Sequence, residues 1–163
     1  MGRAYLSLGS NIEPAQHLRS AIAALRERFG AVQLSPVYRT PAVGFDGADF
    51  LNAAAIIDSD LDPQALNDWL HALEDAHGRD RSGPRFGPRP LDIDIVFYDD
   101  LVLDGPGHLQ IPRDELKHAF VLKPLADLAP GYVHPRIGRS LAALWADAGL
   151  AIGPVVDLAS TSP

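Results

Sequence analysis

Residues Gly87 to Tyr98 read GPRPLDIDIVFY, so two carboxylates, Asp92 and Asp94, are set into what is otherwise a hydrophobic strand. Alternate side chains of an extended strand share a face. Leu91, Ile93 and Ile95 can therefore turn into a core while Asp92 and Asp94 project together from the opposite face. Two like charges at that spacing repel unless a cation lies between them, and a donor set made only of oxygens suits Mg2+. The plainer reading of a bare Asp-x-Asp, one aspartate ending the strand and the other solvated, is equally open at this point.

The residues just upstream bear on the choice. Positions 79 to 89 read RDRSGPRFGPR, which places Arg79, Arg81, Arg85 and Arg89 within one loop of a chain carrying 14 basic against 21 acidic residues. Guanidinium forks bind phosphate oxygens bidentately, and Gly and Pro keep such a loop open. Taken alone the loop also reads as a solvated turn. Cations followed by a metal-binding acid pair form the pattern that phosphoryl transfer requires, because positioning and charge neutralisation account for most of that catalysis.

Near the amino terminus, Leu6-Ser7-Leu8 runs as a strand into the turn Gly9-Ser10-Asn11. Pro14 then opens a segment whose apolar residues Leu18, Ile22, Leu25 and Phe29 draw one helical face, ended by Gly30. Val32 to Tyr38 reads as a second strand and Phe50 to Ile57 as a third, joined by a loop from Thr40 to Gly47. Asp62 caps and Pro63 begins a second helix with Leu66, Trp69, Leu70 and Leu73 on its buried stripe, and Gly78 stops it. Beyond the acidic strand, short helices are predicted around Pro124 to Leu128 and from Ser140 to Ala148. Strand, helix, strand, strand, helix, strand is the ferredoxin-like order, so an α+β fold is expected: a single-domain antiparallel sheet with helices packed on one face. The domain is expected to span residues 1–157, with a polar tail over 158–163 that frays.

Composition narrows the chemistry. At 163 residues the chain is long enough for one real core, and 47% hydrophobic with 21% charged residues is ordinary for a globular protein. No apolar run reaches the roughly 18 to 20 residues of a spanning helix, and the first residues lack the features of a signal peptide, so a cytoplasmic protein without a membrane partner is expected. A net charge of −7 opposes non-specific nucleic-acid binding. There is no cysteine, which excludes disulfides, thiolate nucleophiles and sulfur-ligated metals. Neither a Walker-type nor a dinucleotide-binding glycine motif occurs, and no Ser-His-Asp arrangement can be argued. Gly9-Ser10 with a distant Asp-x-Asp is similar to polymerase-like nucleotidyltransferases, but about eighty residues separate the two elements where a helix-length gap is expected.

Five blocks, in order, carry a more specific likeness: Leu8-Gly9-Ser10-Asn11, Ser35 to Pro41 (SPVYRTP), Phe50 to Ala53 (FLNA), Gly87 to Asp94 (GPRPLDID) and Ala119 to Leu125 (AFVLKPL). Over roughly residues 4 to 150 the chain resembles the 6-hydroxymethyl-7,8-dihydropterin pyrophosphokinases of folate synthesis. The resemblance implies transfer of the β,γ-diphosphate of ATP to the hydroxymethyl oxygen of a reduced pterin, leaving AMP. Asp92 and Asp94 would then hold two Mg2+ ions, Arg79 and Arg89 would steady the phosphates, and Arg81 would sit on the same loop. The pterin would lie between Phe86 and Phe120, its edge read by Asn52 and by the backbone near Thr40, Pro41 and Val43, with Phe50 alongside. His71, Glu74 and Ile95 are expected beside the nucleotide.

The chain departs from the pattern at several places. Phe86 stands where the family's best-known members carry tryptophan, and Phe50 where tyrosine is common. Pro112-Arg113 replaces the usual Pro-His, the following segment is one residue shorter, and His118 occupies the place of a later arginine. Arg113 and His118 are therefore the expected ATP contacts on that side. Trp69 and Trp145 read as core, Asp99, Asp100 and Asp104 as a solvated hairpin end, and His108 and His134 as surface or turn residues. The leading expectation is a Mg2+-dependent, monomeric pterin pyrophosphokinase acting on small molecules. The alternative is a non-catalytic or divergent ferredoxin-like module that binds nucleotide.

Overall fold

The strand that organises the sheet is not the acidic one but Gly2–Ser10, in which only Arg3 is exposed and Ser7 half-buried. Such a strand is covered on both faces. In the computed structural model, which describes residues 1–41, 47–78, 90–104 and 109–158, it is β1. It is followed by helix α1 (Pro14–Phe29), β2 (Gln33–Leu34), β3 (Val37–Thr40), β4 (Phe50–Ser59), helix α2 (Pro63–Ala76) and β5 (Asp92–Tyr98). A small ribbon, β6 (Leu103–Asp104) with β7 (Gln110–Ile111), comes next. A 3-10 turn over Asp114–Lys117, helices α3 (Ala119–Leu128) and α4 (Leu141–Ala148), and β8 (Val155–Val156) complete the chain.

The sheet runs β5-β1-β4-β3-β8, with β2 also pairing β4, and neighbouring strands are antiparallel. With β1, α1, β3, β4, α2 and β5 taken as the repeat, this is the expected ferredoxin-like order. The predicted second strand is split in two. Pro36 has no N–H for the ladder, and Ser35 turns its hydroxyl to the main chain instead, accepting the Ala54 N–H at 2.8 Å. The α2 cap is as expected: the Asp62 carboxylate accepts the Ala65 N–H at 2.7 Å. Ser140 likewise caps α4 through the Ala143 N–H at 3.1 Å.

Helices on one face only is where expectation and structure part. Ala4, Leu6, Leu8, Ala53, Ala55, Ile57, Leu91, Ile93 and Ile95 meet α1 and α2 in one core. Tyr5, Ala54, Ile56, Val96 and Phe97 form a second core with Val121, Leu122 and Leu125 of α3 and Leu141 of α4. The second layer was hidden because α3 begins five residues before its Pro124, which lies inside the helix rather than at its start. A bulge sets the parity of β5. Tyr5 pairs Phe97 while Leu6 pairs Ile95, so Val96 is the extra residue and both Val96 and Phe97 reach the second core.

At the far edge, β8 pairs Val37 and Tyr38 of β3, and Arg19 on α1 donates to the Leu158 carbonyl at 2.6 Å. The tail expected to fray thus has its first residue packed on the core, while 159–163 lie outside the described residues. Trp69 meets Phe29 edge-on at 5.0 Å. His134 is a buried turn residue whose Nδ1 accepts the Arg136 and Ile137 N–H groups. Among the described residues no helix is long and apolar enough to cross a membrane.

Candidate active site

Cross-strand register builds the site. Asp92 of β5 lies opposite Gly9 of β1, Gly9 opposite Asn52 of β4, and Asn52 opposite Tyr38 of β3. Strand alternation turns Asp92, Asp94, Gly9, Asn52 and Thr40 to one face, the face on which α3 packs farther along. Two strand spacings put the Asp92 and Asn52 main chains roughly 10 Å apart, with Gly9 between them. Glycine keeps that floor low: a Cβ built on Gly9 would come 2.6 Å from Asn52 Oδ1 and 3.7 Å from the Phe50 ring. Asn52, 5% exposed, donates from Nδ2 to Thr40 Oγ1 at 2.5 Å, so its side chain is held in one orientation.

The acid pair gains a third member. Glu74, on the last turn of α2 and 2% exposed, has a carboxylate oxygen that groups with those of Asp92 and Asp94, all within 4.8 Å of one another. Its Oε2 accepts the Ile93 N–H at 2.9 Å. Because β5 ends the sheet, that N–H points away from β1, and Glu74 reaches the cluster around the strand's open edge. Burial pushes the Asp94 carboxyl up to about 7, with the charge of Asp92 adding to the rise and that of Arg113 opposing it. Three crowded oxygen donors with no sulfur or imidazole among them fit a hard divalent cation such as Mg2+.

Arg113 approaches from the segment after β7. Its Nη1 lies 3.9 Å from Asp94 Oδ1, and its Nε and Nη2 donate to the two Glu115 oxygens at 3.1 and 2.8 Å. Burial raises the Glu115 carboxyl, but the hydrogen bonds and charge of Arg113 outweigh it and hold that group below its ordinary value. His118 stacks on Phe120 with ring centroids 5.0 Å apart and planes 9° from parallel. Phe120 itself packs against the second core.

Of the residues expected at a site, Thr40, Phe50, Asn52, Asp92 and Asp94 share this face, and Arg113 touches it. Glu74, expected beside the nucleotide, lies within the carboxylate cluster. Ile95 is a core side chain, 2% exposed, turned away from Asp92 and Asp94. On the outer edge of β5 it can offer a ligand only its main chain. His71 and Pro41 are exposed. Val43, Arg79, Arg81, Phe86 and Arg89 lie outside the described residues. Two contributors escaped the sequence: Glu115, whose only signal was an acid two residues after Arg113, and Gly9 as floor, for which a glycine inside a strand is a recognised hint.

Similarity to known proteins points the same way. Residues 5–130 match the family model described as 7,8-dihydro-6-hydroxymethylpterin-pyrophosphokinase. The chain is 41% identical over 150 residues to a Pseudomonas aeruginosa protein named 2-amino-4-hydroxy-6-hydroxymethyldihydropteridine pyrophosphokinase, covering 88% of this chain and 90% of that one. A Methylorubrum extorquens protein of the same name is 42% identical over 137 residues, covering 82% and 86%. Among solved structures, wild-type Plasmodium falciparum HPPK-DHPS with pteroate superposes with a TM-score of 0.73 at 13% identity. That match covers 89% of this chain but 44% of the other, and shows the fold.

Proposed function

The chain belongs to the 7,8-dihydro-6-hydroxymethylpterin-pyrophosphokinase family, and from that premise we propose how its residues divide the work of moving the β,γ-diphosphate of ATP to the pterin hydroxymethyl oxygen. The observation that carries the proposal is the row Asp92, Gly9, Asn52, in which a carboxylate cluster lies across a buried glycine from a buried amide that packs over that glycine. Asp92 and Asp94, with Glu74 beside them, are the residues that would hold Mg2+, two ions in the full reading. A divalent ion held by these carboxylates would supply charge neutralisation for the triphosphate.

The pterin end is served by different chemistry. Asn52, fixed by Thr40, reads the hydrogen-bonding edge of a flat heterocycle, together with the main chain of Thr40, Pro41 and Val43. Phe50 lies alongside the ring and Phe120 stacks on it, with Phe86 as the second stacking face. The acceptor hydroxyl is its own nucleophile, so transfer is direct and in line, without a covalent enzyme intermediate. Arg79 and Arg89 steady the phosphates during transfer, and Arg81, Arg113, His118, His71 and the main chain of Ile95 serve the nucleotide. On this reading the chain works as a cytoplasmic monomer on small molecules, without nucleic acid or membrane.

Incubation with ATP, Mg2+ and 6-hydroxymethyl-7,8-dihydropterin tests it. AMP and the diphosphorylated pterin are the expected products. Release of inorganic pyrophosphate would indicate nucleotidyl transfer instead, and binding of ATP without any product would favour the non-catalytic module.

A further inference from the structure

We propose that Arg113, tethered by Glu115, is a built-in counter-cation of Asp94 that a divalent ion displaces on binding, which makes Glu115 a positioning residue for the reaction. The proposal rests on the reading of Asp92 and Asp94 as metal ligands. Three features of the geometry carry it.

The first is placement. The Arg113 N–H donates to the Val96 carbonyl at 3.2 Å, so the residue's main chain is pinned to the strand that carries the acid pair, beside the bulge and two residues from Asp94. The second is how the guanidinium is used. Its Nε and Nη2 are both committed to Glu115, on the 3-10 turn, in a two-bonded fork. The third is what remains. Nη1 lies 3.9 Å from Asp94 Oδ1, close enough for strong attraction and too far for a hydrogen bond.

Arg113 therefore lends its charge to Asp94 while keeping its hydrogen bonds elsewhere. A guanidinium keeps its charge throughout the working pH range, so the compensation is permanent. Losing Asp94 to a metal ion costs Arg113 no hydrogen bond, because Glu115 retains it. The freed Nη1 is then positioned beside whatever phosphate the metal brings. Without Glu115 the guanidinium would be free to close onto Asp94 and would resist displacement.

Binding of Mn2+ to the nucleotide-free protein, followed by the paramagnetic signal of the free ion, tests this without turnover. Arg113→Gln should tighten Mn2+ binding about tenfold by removing a competing positive charge, whereas Arg113→Lys, which keeps the charge, should stay near wild type. Glu115→Gln should weaken binding, and that effect should vanish when Arg113→Gln is also present. If Arg113→Gln fails to fold, Glu115→Gln with Arg113→Lys as comparison carries the test. Mn2+ binding that Asp94→Asn weakens but neither the Arg113 nor the Glu115 variants alter would overturn the proposal and leave the metal reading standing. Absence of Mn2+ binding in wild type and Arg113→Gln alike would overturn both.

Discussion

The Glu74 carboxylate accepts the Ile93 N–H at 2.9 Å, joining the last turn of α2 to the open edge of β5 through a buried acid. One side chain thereby closes a strand edge and completes a cluster of oxygen donors. These two roles can be separated. Glu74→Ala leaves the Ile93 N–H without its acceptor and should cost about 1–3 kcal/mol, read as a fall in Tm. Glu74→Gln keeps an acceptor oxygen and should lose much less stability, yet it should bind Mg2+ more weakly than wild type. Equal thermal stability of the two variants would show that the edge bond contributes nothing.

Asp92→Asn and Asp94→Asn should each lower turnover by about a thousandfold, the scale of several kcal/mol of charge stabilisation at the transferring phosphates. Both should keep the wild-type circular dichroism spectrum, since neither side chain belongs to a core cluster. Wild-type kcat in either variant would remove the carboxylates from the mechanism.

Asp94 also makes stability depend on pH in the metal-free protein. Asp94 is raised in the folded state to about 7 from 3.8, so the folded chain binds the proton more tightly than the unfolded one. Its contribution is therefore favourable below pH 4 and is lost as pH rises toward 7. With Mg2+ absent, the wild type should lose stability across that window relative to Asp94→Asn, and Mg2+ should raise Tm more at pH 8 than at pH 5. Parallel denaturation curves for the two proteins from pH 4 to 8 would contradict this.

Gly9→Ala tests the close packing of Asn52 over Gly9. Its new Cβ would meet Asn52 Oδ1 at 2.6 Å, and the Asn52 side chain, already held by Thr40, must move. KM for the pterin should rise about tenfold, the scale of one misplaced hydrogen bond, while KM for ATP changes little. An unchanged pterin KM, or equal effects on both substrates, would separate Asn52 from pterin recognition.

Much of the architecture could be read in advance because it follows from local rules. Asp62 with Pro63 marks the start of α2, and Ser140 that of α4, through bonds made within one turn of chain. The parting of Asp92 and Asp94 from Leu91, Ile93 and Ile95 needs only the alternation of a strand. The helical layer of α3 was harder, because Pro124 resembles a beginning and in fact lies inside the helix, where the packing of Val121, Leu122 and Leu125 on the sheet holds it.

Periodicity and capping over a few residues thus settled α1, α2 and α4, the long strands, their succession along the chain and the adjacency of the two aspartates. Long-range packing is what places Gly9 between Asp92 and Asn52, brings Glu74 around the edge of β5, and turns Arg113 to Asp94 while it grips Glu115. Those meetings depend on strand register, on which strand ends the sheet and on how a bulge turns the chain. Such quantities are set by packing between distant segments, and no short-range pattern encodes them.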